Sequence, residues 1–292
     1  MSTSNLTLDS RIRLKDGREI PHIGFDGLIS GNYAGVYEMS GEEAYRSVTI
    51  ALEARYRLID SAAWYGNEAE CAKAIIDFCT STNTPRSSIW FTTKLQSNRG
   101  YSATKRAIET SFEKCRGLEY IDLYLIHSPL GGPQMRKESW KAVLEAKEEG
   151  KLRSVGVSNY GVAHLDEMMA DGVEMPVINQ VDLHPFMTRD PIVERCRELG
   201  IVLEAWGPVV RGLRFKHPTI VELAKRHSKS PAQILLRYSL QRGYIPLPKS
   251  VTKERIIENK NLYDFELSDK EMETLHGLDE YLVTDWDVTD AD

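Results

Sequence analysis

Residues 88–127, SIWFTTKLQSNRGYSATKRAIETSFEKCRGLEYIDLYLIH, decide the fold. The stretch opens on a run rich in β-branched and aromatic residues over Ser88–Leu95, which reads as a strand. A helix-period segment follows over Ala103–Cys115, and a second apolar run, Ile121–His127, closes it. A strand, a helix and a strand in that order imply a right-handed crossover and two parallel strands.

The same alternation extends in both directions. Upstream, HIGFDGL from His22 and YRLIDSA from Tyr56 read as strands. Downstream, LRSVGVS from Leu152, VINQVDL from Val177, IVLEAWGP from Ile201 and YIPLPKS from Tyr244 do the same. Helix-period segments over Glu42–Arg55, Glu68–Phe78, Lys137–Glu149 and Ile192–Leu199 lie between them. Eight strand candidates alternating with helices over about 250 residues predict a (β/α)₈ barrel. The competing doubly wound sheet needs G-x-G-x-x-G after its first strand, and Gly24-Phe25-Asp26-Gly27-Leu28 does not fit it. Ahead of the barrel, residues 11–20 carry alternating Ile12 and Leu14 before Asp16-Gly17, a dipeptide that favours a tight turn, so a short hairpin is expected. With no low-complexity linker and no convincing repeat, residues 1–292 read as one barrel domain with a tail over about 279–292.

Composition removes several function classes. The chain carries 37 Lys plus Arg against 43 Asp plus Glu, a net charge of −6 with mixed signs, which argues against a nucleic-acid partner needing a basic face. The four cysteines form no C-x-x-C pair and no metal-ligand spacing with His, so reduced thiols and no metal are expected. Residues 1–10 have neither a basic nor an apolar signal region, and no apolar run approaches the ~18 residues of a membrane span. A soluble, cytoplasmic protein without a membrane partner is expected.

In a barrel of this kind chemistry sits at the carboxyl ends of the strands. Asp60, Lys94 and His127 each close an apolar run there, and Tyr65 stands in the loop after Asp60. Singly each is an ordinary loop-edge polar group; together they form a coherent set. A phenol with a reference pKa near ~10 is a poor acid at neutral pH, and an ammonium about 4 Å away at an effective dielectric of about 20 would stabilise its anion by roughly 4 kcal/mol. Lys94 would therefore tune Tyr65, Asp60 would hold and aim Lys94, and His127 would orient a carbonyl oxygen. Near the end of the chain, Lys249 closes the eighth strand and Arg255 lies six residues on, early in a helix. They offer a phosphate monoester a point charge and a bidentate fork.

These residues carry a family likeness. The chain resembles the aldo-keto reductases, most closely the small fungal members that act on aldoses and xylose. The resemblance rests on Leu58-Ile59-Asp60-Ser61-Ala62 with Tyr65-Gly66-Asn67-Glu68, on Thr93-Lys94, and on Tyr120-Ile121-Asp122-Leu123-Tyr124-Leu125-Ile126-His127-Ser128-Pro129. It continues through Gly156-Val157-Ser158-Asn159-Tyr160 and Asn179-Gln180-Val181 to Pro248-Lys249-Ser250 with Arg255 and Glu258-Asn259. It implies NADPH (NADP+) laid across the barrel mouth and a tetrad of Asp60, Tyr65, Lys94 and His127, with Tyr65 giving a proton to an aldehyde or ketone. It also implies carboxamide contacts at Ser158, Asn159 and Gln180, and a nicotinamide-stacking face at Trp206. An adenosine-phosphate clamp falls at Lys249, Ser250 and Arg255, with Glu258 and Asn259 near the adenine. A monomer or weak homodimer is expected.

The departures from the family pattern bear on the substrate pocket. Asp26 stands in the turn after the first strand, where many members are Gly-rich; it would repel phosphate-bearing substrates or pair with a polar group. Ser128 follows His127 where aromatic-pocket members carry Trp, which implies a wetter wall. Trp64 adjoins Tyr65 and could line the pocket, although Trp64, Trp90, Trp140 and Tyr120 read more simply as packing. Trp286 either reaches the pocket rim or anchors the acidic tail. A non-catalytic barrel subunit that senses NADP(H) is the rival reading, weighed against an intact tetrad.

Overall fold

The computed structural model describes residues 6–27 and 41–292. Leu28, the last residue of the first expected strand, lies outside the described residues. The chain begins with an antiparallel hairpin, β1 (Arg11–Arg13) and β2 (Glu19–Pro21), in the register Ile12 to Ile20. Its turn passes through Gly17 at φ +87°, a conformation glycine adopts without a Cβ penalty. Leu14 and Ile20 are buried against Leu58, Trp90, Leu123, Ile178 and Ile245, the inward residues near the starts of the barrel strands. The hairpin therefore plugs the amino end of the barrel.

The barrel runs β3 (Phe25–Asp26), α1 (Gly41–Glu53), β4 (Leu58–Asp60), α2 (Glu68–Thr82), β5 (Trp90–Leu95), α3 (Tyr101–Lys114) and β6 (Ile121–Ile126). It continues with α4 (Pro133–Glu148), β7 (Leu152–Ser158), α5 (Val162–Ala170), β8 (Ile178–Asp182), α6 (Asp190–Glu198) and β9 (Val202–Trp206). After β9 come α7 (Pro218–His227), α8 (Pro231–Gln241), β10 (Ile245–Pro246), α9 (Lys253–Asn259) and α10 (Asp269–His276). The eight strands β3 to β10 are hydrogen-bonded in sequence order, and every neighbouring pair is parallel. This is the expected (β/α)₈ architecture. Strands covered on both faces bury nearly every residue, which is why they read as continuous apolar runs rather than alternations. Helix α4 starts at Pro133, ahead of the expected Lys137, because proline is well suited to the first helical position.

Closure between β3 and β10 uses two backbone bonds among the described residues, Gly24 N–H to Pro246 O (3.1 Å) and Asp26 N–H to Pro248 O (3.1 Å). Both run one way. Pro246 and Pro248 have no N–H to return across the seam, whereas Leu247 N–H points the other way and bonds Ala205 O on β9 (3.0 Å). The same prolines end β10 early, so Lys249 stands three residues beyond the strand rather than closing it. Gly24 permits the close approach: a Cβ there would lie 2.5 Å from Leu247 and 2.7 Å from Leu58.

Candidate active site

Three adjacent strands bring the central residues together. Asp60 is the last residue of β4, Lys94 the penultimate residue of β5, and His127 follows β6 directly. Tyr65 ends a short 3₁₀ turn over Ala63–Tyr65 that stops at Gly66, φ +67°. Lys94 and Asp60 are fully buried and form a direct ion pair. The Lys94 ammonium also donates to Ser61 O at 2.9 Å and reaches the Tyr65 hydroxyl at 3.5 Å. The Tyr65 and His127 rings meet edge to face, 5.7 Å between centroids. The four tetrad residues thus converge at the carboxyl end of the barrel.

The electrostatics differ from the expectation at one point. The Tyr65 phenol lies well above its ordinary value, through burial first and then the negative charges of Asp26, Asp60 and Asp285, with Arg211 opposing them. The physical reason is that the ammonium is shared: its two shorter contacts go to Asp60 and Ser61, and the phenol receives the longest. Tyr65 is therefore a fully protonated phenol. Burial, and then repulsion from Lys94, push His127 well below the usual imidazole value, so its ring is neutral. Its Nδ1 is buried without a hydrogen-bond partner among the described residues.

Behind the tetrad lies a carboxyl group that the sequence reading did not single out. Glu204, in the middle of β9, is fully buried. Gln180 on β8 bridges it to the tetrad, its Nε2 donating to Asp60 Oδ1 (2.9 Å) and to Glu204 Oε2 (2.9 Å). Burial raises Asp60, but Lys94 and the Gln180 amide pull it back. Burial and then the Asp60 charge push Glu204 up to about 8. One ammonium thus faces two buried carboxyl groups, and burial pushes both of them upward. The signal in the sequence was a lone Glu inside the apolar run Val202–Trp206.

The residues expected to hold a nicotinamide cofactor also cluster. Asn159, at φ +60° just after β7, donates through Nδ2 to His127 O (3.0 Å) and accepts at Oδ1 from the Trp206 indole N–H (2.9 Å). Ser158 donates to Gln180 O at 2.8 Å. The Trp206 ring is therefore fixed by its edge at the end of β9, half-buried. Lys249 is half-buried; burial lowers its pKa, against the pull of Asp26 and Asp285. Ser250 accepts from the Thr252 amide at 3.1 Å just ahead of α9, which carries Arg255, Glu258 and the buried Asn259. Arg255 is exposed, with no hydrogen bond or ion pair among the described residues.

On the opposite side, Trp286 answers the question left open by the sequence. Its ring packs edge to face on Trp64 (5.9 Å) and lies 6.4 Å from the His127 ring, so the tail crosses the mouth and Trp286 forms its rim. Arg211 pairs with Asp285, Arg189 with Asp287 (3.1 Å), and Thr284 donates to Asp182 (3.1 Å), which fixes the tail on both sides of Trp286. Trp64 is 57% exposed, a large apolar surface left open at the rim rather than used in packing. Ser128 is buried, and its carbonyl accepts from Asn98 at 2.8 Å. Asp26 is buried where its charge acts on both Tyr65 and Lys249. Among the described residues no group of three or more His, Cys, Asp or Glu is placed to hold a metal ion, and no helix is long and apolar enough to cross a membrane.

Comparison with known proteins agrees with this fold. The sequence pattern of the Aldo/keto reductase family matches residues 28–280. An uncharacterized oxidoreductase of Schizosaccharomyces pombe is 43% identical over 280 residues, 96% of this chain and 97% of that protein. Glyoxal reductase of Bacillus subtilis is 37% identical over 274 residues, covering 93% and 94% of the two chains. The crystal structure of a Bombyx mori aldo-keto reductase in complex with NADP superposes with a TM-score of 0.87 at 33% identity, over 98% of this chain and 97% of that one.

Proposed function

This chain belongs to the aldo/keto reductase family, and on that premise we propose that it reduces aldehydes and ketones to alcohols with NADPH, Tyr65 supplying the proton. The observation that supports it best is the placing of the Tyr65 phenol, the Lys94 ammonium and the neutral His127 ring on one mouth of the barrel, within contact of one another. The residues suit a dinucleotide. Trp206 offers a flat, edge-anchored face for a nicotinamide, Ser158, Asn159 and Gln180 have the donor and acceptor chemistry of a carboxamide site, and Lys249, Ser250 and Arg255 suit a phosphate. When bound, the cofactor supplies the hydride to the carbonyl carbon.

The protein's own residues do the rest. A neutral His127 has an N–H to give a carbonyl oxygen and, unlike an imidazolium, adds no second positive charge beside Lys94. Tyr65 holds its proton until the oxygen becomes basic. Lys94, 3.5 Å from the phenol oxygen, then stabilises the anion left behind, while Asp60 keeps the ammonium in place. Trp64 and Trp286 form the walls between which the carbonyl group must enter. Aldoses, aromatic and aliphatic aldehydes and keto compounds are the substrate classes proposed, and the glyoxal reductase relative adds small dicarbonyls to the set worth testing. The test is an NADPH-consumption screen over aldoses, aromatic aldehydes, α-keto esters, diketones and glyoxal. Turnover in at least one class, lost in Tyr65→Phe, is expected. No turnover in any class, with tight NADPH binding retained, would favour a cofactor-sensing role instead.

A further inference from the structure

The amino end of the barrel, opposite the candidate active site, holds a second polar site. A cleft of about 190 Å³ opens between the hairpin and the starts of β5, β6 and β7, lined among others by Arg11, Arg18, Glu19, Trp90, Asp122 and Arg153. Trp90 and Lys94 lie on the same strand, so roughly 13 Å of β5 separates this cleft from the tetrad.

Three guanidinium groups meet there, and none has a carboxylate partner among the described residues. Each is nonetheless held. Arg11 donates to Glu19 O (3.3 Å) and Ser88 O (3.4 Å), and Arg18 donates through Nε to Arg153 O (3.1 Å). The Arg153 guanidinium stacks on the Tyr120 ring, 3.2 Å from its centroid. These contacts leave the Arg18 terminal nitrogens and the whole Arg153 fork without a hydrogen bond among the described residues. Of the lining acids, Asp122 is occupied by Arg86 (2.6 Å) and the Phe91 amide (3.0 Å), so only Glu19 opposes the three cations. Asp16, in the hairpin turn, is engaged by Ser154 (2.6 Å) and the Arg18 amide (3.0 Å). Trp90 forms a buried wall, and its indole N–H has no partner among the described residues.

We propose that this cleft binds a phosphate-type dianion, free phosphate or the phosphate of a small ester. Three guanidiniums against Glu19 in the lining and Asp16 in the turn, whose bonds to neutral donors leave its charge in place, give a positive surplus that an anion balances. Planar forks match the paired oxygens of a phosphoryl group better than they match a monovalent anion. The volume falls below the roughly 300 Å³ at which drug-sized ligands begin, which excludes a dinucleotide and admits a phosphate with a few carbons. The proposal does not depend on the reductase reading.

The test follows the five indole N–H signals in a ¹⁵N–¹H spectrum during titration with inorganic phosphate at constant ionic strength, the Trp90 signal being assigned with Trp90→Phe. A saturable shift of that signal is expected, with a midpoint of about 1 mM or tighter. Arg18→Gln and Arg153→Gln should each weaken it at least about fivefold, roughly the loss of one charge-assisted contact. Arg255→Ala, at the other end of the barrel, should leave the midpoint unchanged, which separates this cleft from the proposed cofactor clamp. Glu19→Gln should tighten binding, a gain that damage to the fold does not produce. Inorganic phosphate and glycerol phosphate then distinguish the sources: tighter binding of the ester points to a phosphorylated metabolite, and equal binding to free phosphate. No movement of the Trp90 signal, the same movement with chloride alone, or unchanged midpoints in both arginine variants would overturn the proposal.

Discussion

Two charged regions meet at the carboxyl end of this barrel, and they are built on opposite plans. In the interior, Lys94, Asp60, Gln180 and Glu204 are buried, and the Lys94–Asp60 pair and both Gln180 bonds are made within the protein. At the rim, Arg255 stands exposed with no protein partner among the described residues, and Ser250 and Lys249 lie half-buried before it. The interior set is organised before anything binds, at a desolvation cost that is recovered only while every partner is present. At the rim, the Arg255 fork is left for a ligand. Substitutions inside should therefore disturb folding and chemistry together, and substitutions at the rim should disturb binding alone.

Lys94→Met is the strongest way to break that contrast. It leaves Asp60 buried without its countercharge, so unfolding free energy should fall by about 3–5 kcal/mol in urea titrations. Turnover should fall with it by less than the roughly 4 kcal/mol of an unshared ammonium, because Asp60 and Ser61 already take part of its charge. Asp60→Asn should slow turnover less, because the ammonium remains near the phenol; a slower Asp60→Asn enzyme would reverse the roles given to the pair. Tyr65→Phe sharpens the comparison from within, since Tyr65 is proposed to give its proton to substrate rather than to a protein partner. It should cost roughly 10²–10⁴ in kcat with little change in NADPH affinity or in Tm, and retention of a tenth of the wild-type rate would remove Tyr65 as donor.

At the rim, Arg255→Ala should weaken NADPH by roughly 1.5–3 kcal/mol, about ten- to a hundredfold, while NADH binding and stability barely change. Quenching of Trp fluorescence on titration with each cofactor reads this difference. Equal losses for both cofactors would place Arg255 outside the phosphate clamp. The last effect concerns pH. Glu204 has a folded pKa raised to about 8, so between the ordinary carboxyl range and that value the folded chain holds a proton that the unfolded chain has released. Its contribution to stability is therefore fully present at low pH and is lost as pH rises through this window. Glu204→Gln keeps the acceptor for Gln180 and removes the titration. Relative to wild type it should gain roughly 3–4 kcal/mol as pH goes from about 5 to about 8. Parallel stability curves for the two proteins over that range would show that Glu204 is ionised throughout.

The parts of this arrangement that were legible in the sequence share one property: a polar residue ends an apolar run. Asp60, Lys94 and His127 could be placed at the mouth because a parallel strand buried on both faces leaves polar groups only at its ends. Glu204 could not be read in the same way. It stands inside such a run, and which face of a five-residue strand points into the barrel is fixed by register with β8 and β10 rather than by the strand itself. The sharing of Lys94 escaped for a related reason, since the distances to Asp60 and Ser61 depend on how three strands are staggered. Trp286 was ambiguous because the path of the tail is set by Asp182, Arg189 and Arg211, all of them more than seventy residues earlier in the chain. The extent of β10 was misjudged because Pro246 and Pro248 look like strand residues by position and apolarity, and only the pairing shows that they act as acceptors.

The one-way seam between β3 and β10 also sets how the molecule breathes. A ring of strands opens first where its hydrogen bonds are fewest, and local opening draws on the least protected amides. Here the two donors across the seam are Gly24 and Asp26. Parting them moves Asp26 away from the segment that leads, one residue after Pro248, into Lys249. A dinucleotide lying over the mouth as proposed would rest on the β10 side of that line, at Trp206 on β9 and Lys249 beyond β10, with Asp26 on the other side. The charge of Asp26, on one side of this joint, then acts across it on the Lys249 that such a ligand would use.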